Sequence, residues 1–280
     1  MTTPKELKKR VLEEAPRFGL DDRFRFACHP DVPCFNKCCA DINIFLTPYD
    51  ILRLKNRLGI TSKEFLDEYA VVPFNKEIKQ PVPLLKMQET EGRPCPFVTD
   101  EGCGVYEDRP WACRMYPLGM AAPRDEDVQG GKFYFLMEEK HCRGFEEERE
   151  LSVGEWIRDQ GIEEYDAAGE LFKPITLHPF FETGDMSPAK MDMFFMASYD
   201  LDRFRRFVFD SSFLDKFVVE PEVVEAIRED DYELMKFAFR WLRFALGFEP
   251  TMKLDSSFDA MRQKEQDFFQ RTGTKTESKD

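Results

Sequence analysis

Cys28-His29-Pro30-Asp31-Val32-Pro33-Cys34-Phe35-Asn36-Lys37-Cys38-Cys39 carries four of the chain's eight cysteines. The other four follow as Cys95-x7-Cys103-x9-Cys113-x28-Cys142, and the last 138 residues contain none. Thiolates are soft ligands, and all-sulphur sites select zinc or iron–sulphur clusters over magnesium or calcium. The C-x2-C knuckle of zinc ribbons is missing, as are the C-x3-C-x2-C triplet of radical-SAM enzymes and the close ferredoxin run. This is a different kind of thiol site. Cys28, Cys34, Cys38, Cys39, Cys95, Cys103, Cys113 and Cys142 are all taken as candidate metal ligands. Cys38 and Cys39 are adjacent and point apart along most backbone shapes. One of them therefore ligates while the other packs, serves a second centre or reacts. Four thiolates around zinc or an oxidised four-iron cluster leave about two net negative charges. Arg109 and Arg114 bracket Cys113 and are the candidate cofactor-binding residues, donating to sulphur or pairing with local carboxylates.

Working outward, composition sets the surroundings. The chain has 280 residues, 42% of them hydrophobic, with 28 phenylalanines, so a packed core forms without help from a metal. The net charge of −14 repels nucleic acid and anionic membranes. The small cluster Arg203, Arg205, Arg206 reads as the solvated side of a helix. No signal-peptide core opens the chain, and no stretch approaches about 18 uncharged apolar residues. A soluble cytoplasmic protein is expected, without nucleic-acid or membrane partners. A reducing compartment favours metal over disulfides, and eight cysteines confined to half the chain argue against inert core filling.

The spacing predicts an α+β protein, with a cysteine-rich module of short helices and strands packed on a mainly helical C-terminal region. The expected divisions are 24–145 for the cysteine module, 150–270 for the helices and 271–280 for a disordered polar tail. Thr47-Pro48-Tyr49-Asp50 opens a helix that Gly59 closes near Leu58. Thr61-x-x-Glu64 is a capping box for a second helix through Tyr69. Residues 81–88 and 95–106 suit short strands, the latter folded at Asp100-Glu101-Gly102, and 132–137 suits another. Trp111 begins a helical turn limited by Pro117. Ser152-x-x-Glu155 caps a helix to about Phe172, Ser187-Pro188 opens one to about Phe209, Pro221 opens another, and Asp230 or Asp231 starts the last, ended by Gly247. Phe and Met at helical spacing read as core packing.

Other chemistry is sparse. His29 and His141 adjoin cysteines and read as surface or supporting residues, and His178 stands isolated. Phosphate-binding glycine loops are missing, and no catalytic acid or base stands out.

Several motifs together carry a family resemblance. They are Cys34-x3-Cys38-Cys39 with Leu46-Thr47-Pro48-x-Asp50, Cys95-Pro96-Phe97, Cys103-x-Val105-Tyr106, and Arg109-Pro110-x-x-Cys113-Arg114-x-Tyr116-Pro117. This set resembles the YkgJ-type cysteine-cluster family over about residues 24–145. That family is described as a zinc- or iron-chelating domain and often labelled an Fe–S oxidoreductase; Cys142-x-Gly144 is similar to the last cysteine of its longer members. Flagellin lysine methylases carry a similar domain holding a 4Fe–4S cluster, so the resemblance implies iron–sulphur first and zinc as the alternative. The opening departs from the family's tighter C-x2-C-x2-CC spacing. Here five residues separate Cys28 from Cys34, and Asn36-Lys37 replaces the usual small residues. Two functions follow as expectations. One is a redox or modifying enzyme, an oxidoreductase or methylase-like protein. The other is a zinc-stabilised module whose helical half binds a protein or small-molecule partner.

Overall fold

A computed structural model describes residues 15–73, 79–121 and 131–256. The expected tail 271–280 lies outside them. The chain divides into two compact units, Met1–Ser187 and Pro188–Asp280. Together they make a mixed α+β protein with a helical C-terminal region. Among the described residues no helix is long and apolar enough to cross a membrane.

The first unit begins with strand β1 (Arg23–Arg25). Helix α1 (Pro48–Leu58) starts at a reciprocal cap: Thr47 Oγ1 accepts the Asp50 N–H at 3.1 Å while Asp50 Oδ2 accepts the Thr47 N–H at 2.7 Å. It ends at Gly59, whose φ of 67° is left-handed and free of Cβ cost. The capping box of α2 (Ser62–Tyr69) forms as its sequence implies, between Thr61 and Glu64. Strands β2 (Ala70–Val71) and β3 (Leu84–Leu85) pair antiparallel, a shorter element than residues 81–88 suggest. Strands β4 (Val98–Thr99) and β5 (Gly102–Cys103) make the expected hairpin, with Val98 opposite Cys103. One short helix, α3 (Trp111–Met115), follows.

Strand β6 (Leu118–Ala121) pairs along its length with β7 (Phe133–Leu136). Strand β8 (Glu150–Ser152) returns to pair with β1, Phe24 opposite Leu151. The Ser152 capping box then opens α4 (Val153–Asp159). The single helix expected to about Phe172 is instead broken. Gly161, at φ 60°, ends α4 and starts α5 (Ile162–Thr176), and the break leaves the Gln160 carbonyl free to accept from Arg114 at 2.7 Å. Helix α6 (Phe180–Thr183) completes the unit. Phe24, Phe26, Met115, Leu118, Tyr134, Leu151, Val153, Trp156, Ile157 and Ile162 form one core cluster of the unit, with Cys142 and Tyr116 packed at its margin. Burying each large side chain is worth about 1.5–3 kcal/mol.

The second unit is helical: α7 (Pro188–Tyr199), α8 (Leu201–Phe209), α9 (Phe213–Lys216), α10 (Pro221–Glu229) and α11 (Asp231–Ala245). Strands β9 (Phe217–Val218) and β10 (Lys253–Leu254) pair beside them. The helix expected from Pro188 to Phe209 also breaks. Asp200 leaves the helical path, and its Oδ1 caps α8 by accepting the Arg203 N–H at 3.2 Å. Phe204, Phe213, Phe237 and Trp241 pack as core with tilted and edge-to-face rings, as the aromatic spacing implies. Arg203 forms a two-pronged pair with Asp192 at 2.7 and 2.8 Å, and Arg205 donates to the Ile227 carbonyl at 2.6 Å.

Candidate metal centre

The eight cysteines are free thiols on the first unit, and the backbone gathers them from four segments. Near the start, the Ala27 N–H donates to the Gly144 carbonyl at 3.0 Å, which sets Cys28 beside the turn carrying Cys142. Gly144 is required there. A Cβ on it would lie 2.6 Å from both the Ala27 carbonyl oxygen and the Phe26 ring. The same turn donates the Arg143 N–H to Cys34 Sγ at 3.1 Å. Cys28, Cys34 and Cys142 thus share one locality, and Cys38 reaches it too, since Cys28 is influenced in order by partial desolvation, Cys38, Cys34 and Cys142. These push the Cys28 pKa up to about 11. Cys28 is itself exposed, so the thiol neighbours say more about the place than the desolvation does.

The remaining thiols gather separately. The Cys95 N–H donates to the Cys39 carbonyl at 2.7 Å, and the hairpin sets Cys103 opposite Val98, three residues after Cys95. Cys113 sits on α3. Burial, then Cys95, Asp50 and Cys103, push its pKa to about 12, with Arg109 opposing. Burial also raises Cys95 and Cys103, but backbone N–H groups of Phe97 and Val98 act on the first and that of Val105 on the second, each favouring thiolate. Backbone donors aimed at sulphur are what a desolvated thiolate ligand needs.

Asn36 makes the loop between these groups possible. Its φ is 64°, a conformation asparagine tolerates, and it does there what a glycine would do. Its Nδ2 donates to the Thr99 carbonyl at 2.9 Å, which ties the loop to the hairpin. The neighbouring Cys38 and Cys39 thiols act on one another: Cys39 lowers the Cys38 pKa to about 7, and Cys38, with burial, raises that of Cys39.

Helix α3 is held from every side. The Trp111 N–H donates to Asp50 Oδ1 at 2.7 Å, and the Trp111 indole to Asp166 at 2.8 Å. The Trp156 indole donates to the Met115 carbonyl at 3.3 Å. Arg114 is buried, and its guanidinium goes to the carbonyls of Arg109, Gln160 and Glu107, with the Tyr165 ring at 4.6 Å. Arg114 therefore braces the frame behind Cys113. Arg109 is also buried, donates to the Tyr106 carbonyl and Gln160, and is the cation acting on Cys103 and Cys113. His29 bonds Glu147 at 3.2 Å on the surface, His141 is exposed, and His178 accepts the Phe180 N–H at 3.2 Å.

Two residues escaped the sequence reading as site residues. Asp50, fully buried, reads from sequence as a helix cap alone, yet it joins the starts of α1 and α3. Tyr116 carries a buried hydroxyl with no hydrogen-bond partner. Burial, then the adjacent Cys142 thiol and Cys38, push its pKa up, although its approach to Cys142 falls outside the geometry of a formed bond. The motif Tyr116-Pro117 was the signal, but nothing in it tells where the hydroxyl points.

The donor chemistry fits a soft metal centre: thiols only, backbone N–H groups on sulphur, a nearby guanidinium, and an orphan hydroxyl facing thiols. Among the described residues no three His, Cys, Asp or Glu side chains stand close enough to hold one ion directly. Fold and site together define a metal-binding cysteine-cluster domain. Residues 27–143 match the CxxCxxCC family model, "Putative zinc- or iron-chelating domain". No curated protein and no solved structure matches the chain.

Proposed function

We propose that these thiols hold iron–sulphur clusters of the 4Fe–4S type, and that the protein is a cytoplasmic redox or modifying enzyme acting with a protein or small-molecule partner. The observation that carries this reading is the all-thiol donor set, eight free cysteines drawn from four segments of one unit, with a backbone N–H on Cys34 and the Arg109 cation acting on Cys103 and Cys113. Sulphur-only surroundings suit iron–sulphur clusters and zinc alike, and the likeness of the cysteine motifs to cluster-holding relatives puts iron–sulphur first. A bound cluster supplies one-electron transfer. The chain's own part is electrostatic. The N–H groups of Arg143, Phe97, Val98 and Val105 and the Arg109 cation offset thiolate charge. Tyr116 offers an O–H to sulphur near Cys142. The net charge of −14 supports a partner other than nucleic acid.

The test is purification without oxygen, followed by iron, zinc and sulphide analysis and electron paramagnetic resonance after dithionite. A brown protein with equal iron and sulphide and a reducible signal is expected. A colourless, silent protein containing only zinc would refute the reading and leave a structural role.

A further inference from the structure

We infer that the eight cysteines form two separate four-thiolate centres, Cys28/Cys34/Cys38/Cys142 and Cys39/Cys95/Cys103/Cys113, joined through the Cys38–Cys39 peptide. The inference rests on the metal-binding reading above and adds the number of centres and the ligands of each.

Two sets of backbone bonds, independent of one another, build the two localities. The first set is Ala27 N–H to Gly144 O at 3.0 Å and Arg143 N–H to Cys34 Sγ at 3.1 Å, around the turn in which the Cys142 N–H donates to Glu139 O at 2.9 Å. The second is Cys95 N–H to Cys39 O at 2.7 Å, the β4–β5 register at Cys103, and the Asp50–Trp111 bond that fixes α3 and Cys113. The thiols around each cysteine follow the same division. Cys28 is surrounded by Cys38, Cys34 and Cys142. Tyr116 faces Cys142 and Cys38. Cys39 has Cys95 and Cys113 around it, and Cys113 has Cys95 and Cys103. The two sets meet only where Cys38 touches Cys39.

Stoichiometry points the same way. A zinc ion or a four-iron cluster takes four thiolates, so one centre would leave four desolvated thiols idle beside it. Two centres use all eight. Each also has its own offsetting group, Tyr116 by the first and Arg109 by the second.

The test counts centres in the full chain reconstituted with iron and sulphide. Native mass spectrometry of the unaltered protein should show two equal metal increments; a single increment overturns the inference. The double variants Cys28→Ser/Cys142→Ser and Cys95→Ser/Cys103→Ser should each hold half the parent's metal. In the reduced parent, neighbouring paramagnets should broaden the resonance, and either variant should give a simple, uncoupled signal. Complete loss of metal from a variant whose near-ultraviolet circular dichroism is unchanged means one shared site and overturns the inference. So does full retention. Should the increments be zinc, the halving would stand and only the iron–sulphur reading would fall; absence of any metal ends both.

Discussion

Asp50→Ala is expected to destabilise the metal-free protein by up to about 3 kcal/mol at neutral pH and to loosen Cys113, lowering metal content. Asp50 is fully buried and accepts three bonds: Trp111 N–H at 2.7 Å, Thr47 N–H at 2.7 Å and the Thr47 hydroxyl at 2.8 Å. Alanine leaves two buried N–H groups unmade, at about 1–3 kcal/mol each, while the hydroxyl can turn elsewhere. An opposing effect reduces the loss. Burial raises the Asp50 pKa from 3.8 to about 6 despite its hydrogen bonds and Arg114. The ionised form therefore bears a desolvation cost of about 3 kcal/mol at pH 7, which alanine relieves. Asp50→Asn relieves the same cost and keeps the Trp111 bond, so it should lie within about 1 kcal/mol of the parent. The pH dependence has a definite sign. Because the folded pKa is the higher one, this group's contribution is complete below pH 3.8 and is lost as pH rises through about 6. The parent should therefore lose stability relative to Asp50→Asn across that window. Urea unfolding followed by tryptophan fluorescence over a pH series measures all three proteins. Equal stability of parent and alanine variant, with unchanged metal content, would refute the role of Asp50 in fixing α3.

Gly144→Ala should cost about 1–3 kcal/mol, because its Cβ meets a backbone oxygen and a core ring at 2.6 Å, and metal content should fall with it; thermal unfolding and metal analysis check both. Tyr116→Phe removes a hydroxyl that has no partner, so the metal-free protein should be as stable as the parent or more so, while the reduction potential of the loaded protein shifts; a clear loss of metal-free stability contradicts this. Arg203→Gln should raise the Asp192 pKa toward 3.8, measured by nuclear magnetic resonance titration. The Arg203 partner lowers that pKa in the fold, so what the pair contributes is present above 3.8 and lost as pH falls through the lowered value.

Much of the local structure was legible because it is written in neighbouring residues. The caps at Thr47, Thr61 and Ser152, the stop at Gly59 and the hairpin at Gly102 each need only three or four positions in sequence. The helix breaks at Gly161 and Asp200 were not read, since both lie inside otherwise periodic segments and are chosen by distant partners or by a cap. β1 and β8 were missed for a similar reason: three-residue strands more than a hundred positions apart carry no local pattern. At the site, the cysteines declared themselves by chemistry. Their sorting into two localities depends on Gly144 reaching Ala27 and on the left-handed turn at Asn36, and neither is visible in spacing.

The β1–β8 pairing also bears on where this domain can be cut. In the core cluster built around Phe26, seven of the ten buried residues (Phe24, Phe26, Leu151, Val153, Trp156, Ile157 and Ile162) fall outside the family-matched span 27–143. That span does not close on itself: chain beyond both its ends, β1 before it and β8 after it, pairs to clasp it. An excised fragment that keeps its metal-binding thiols must therefore begin before Phe24 and extend past α5, or it will expose the face on which α3 rests.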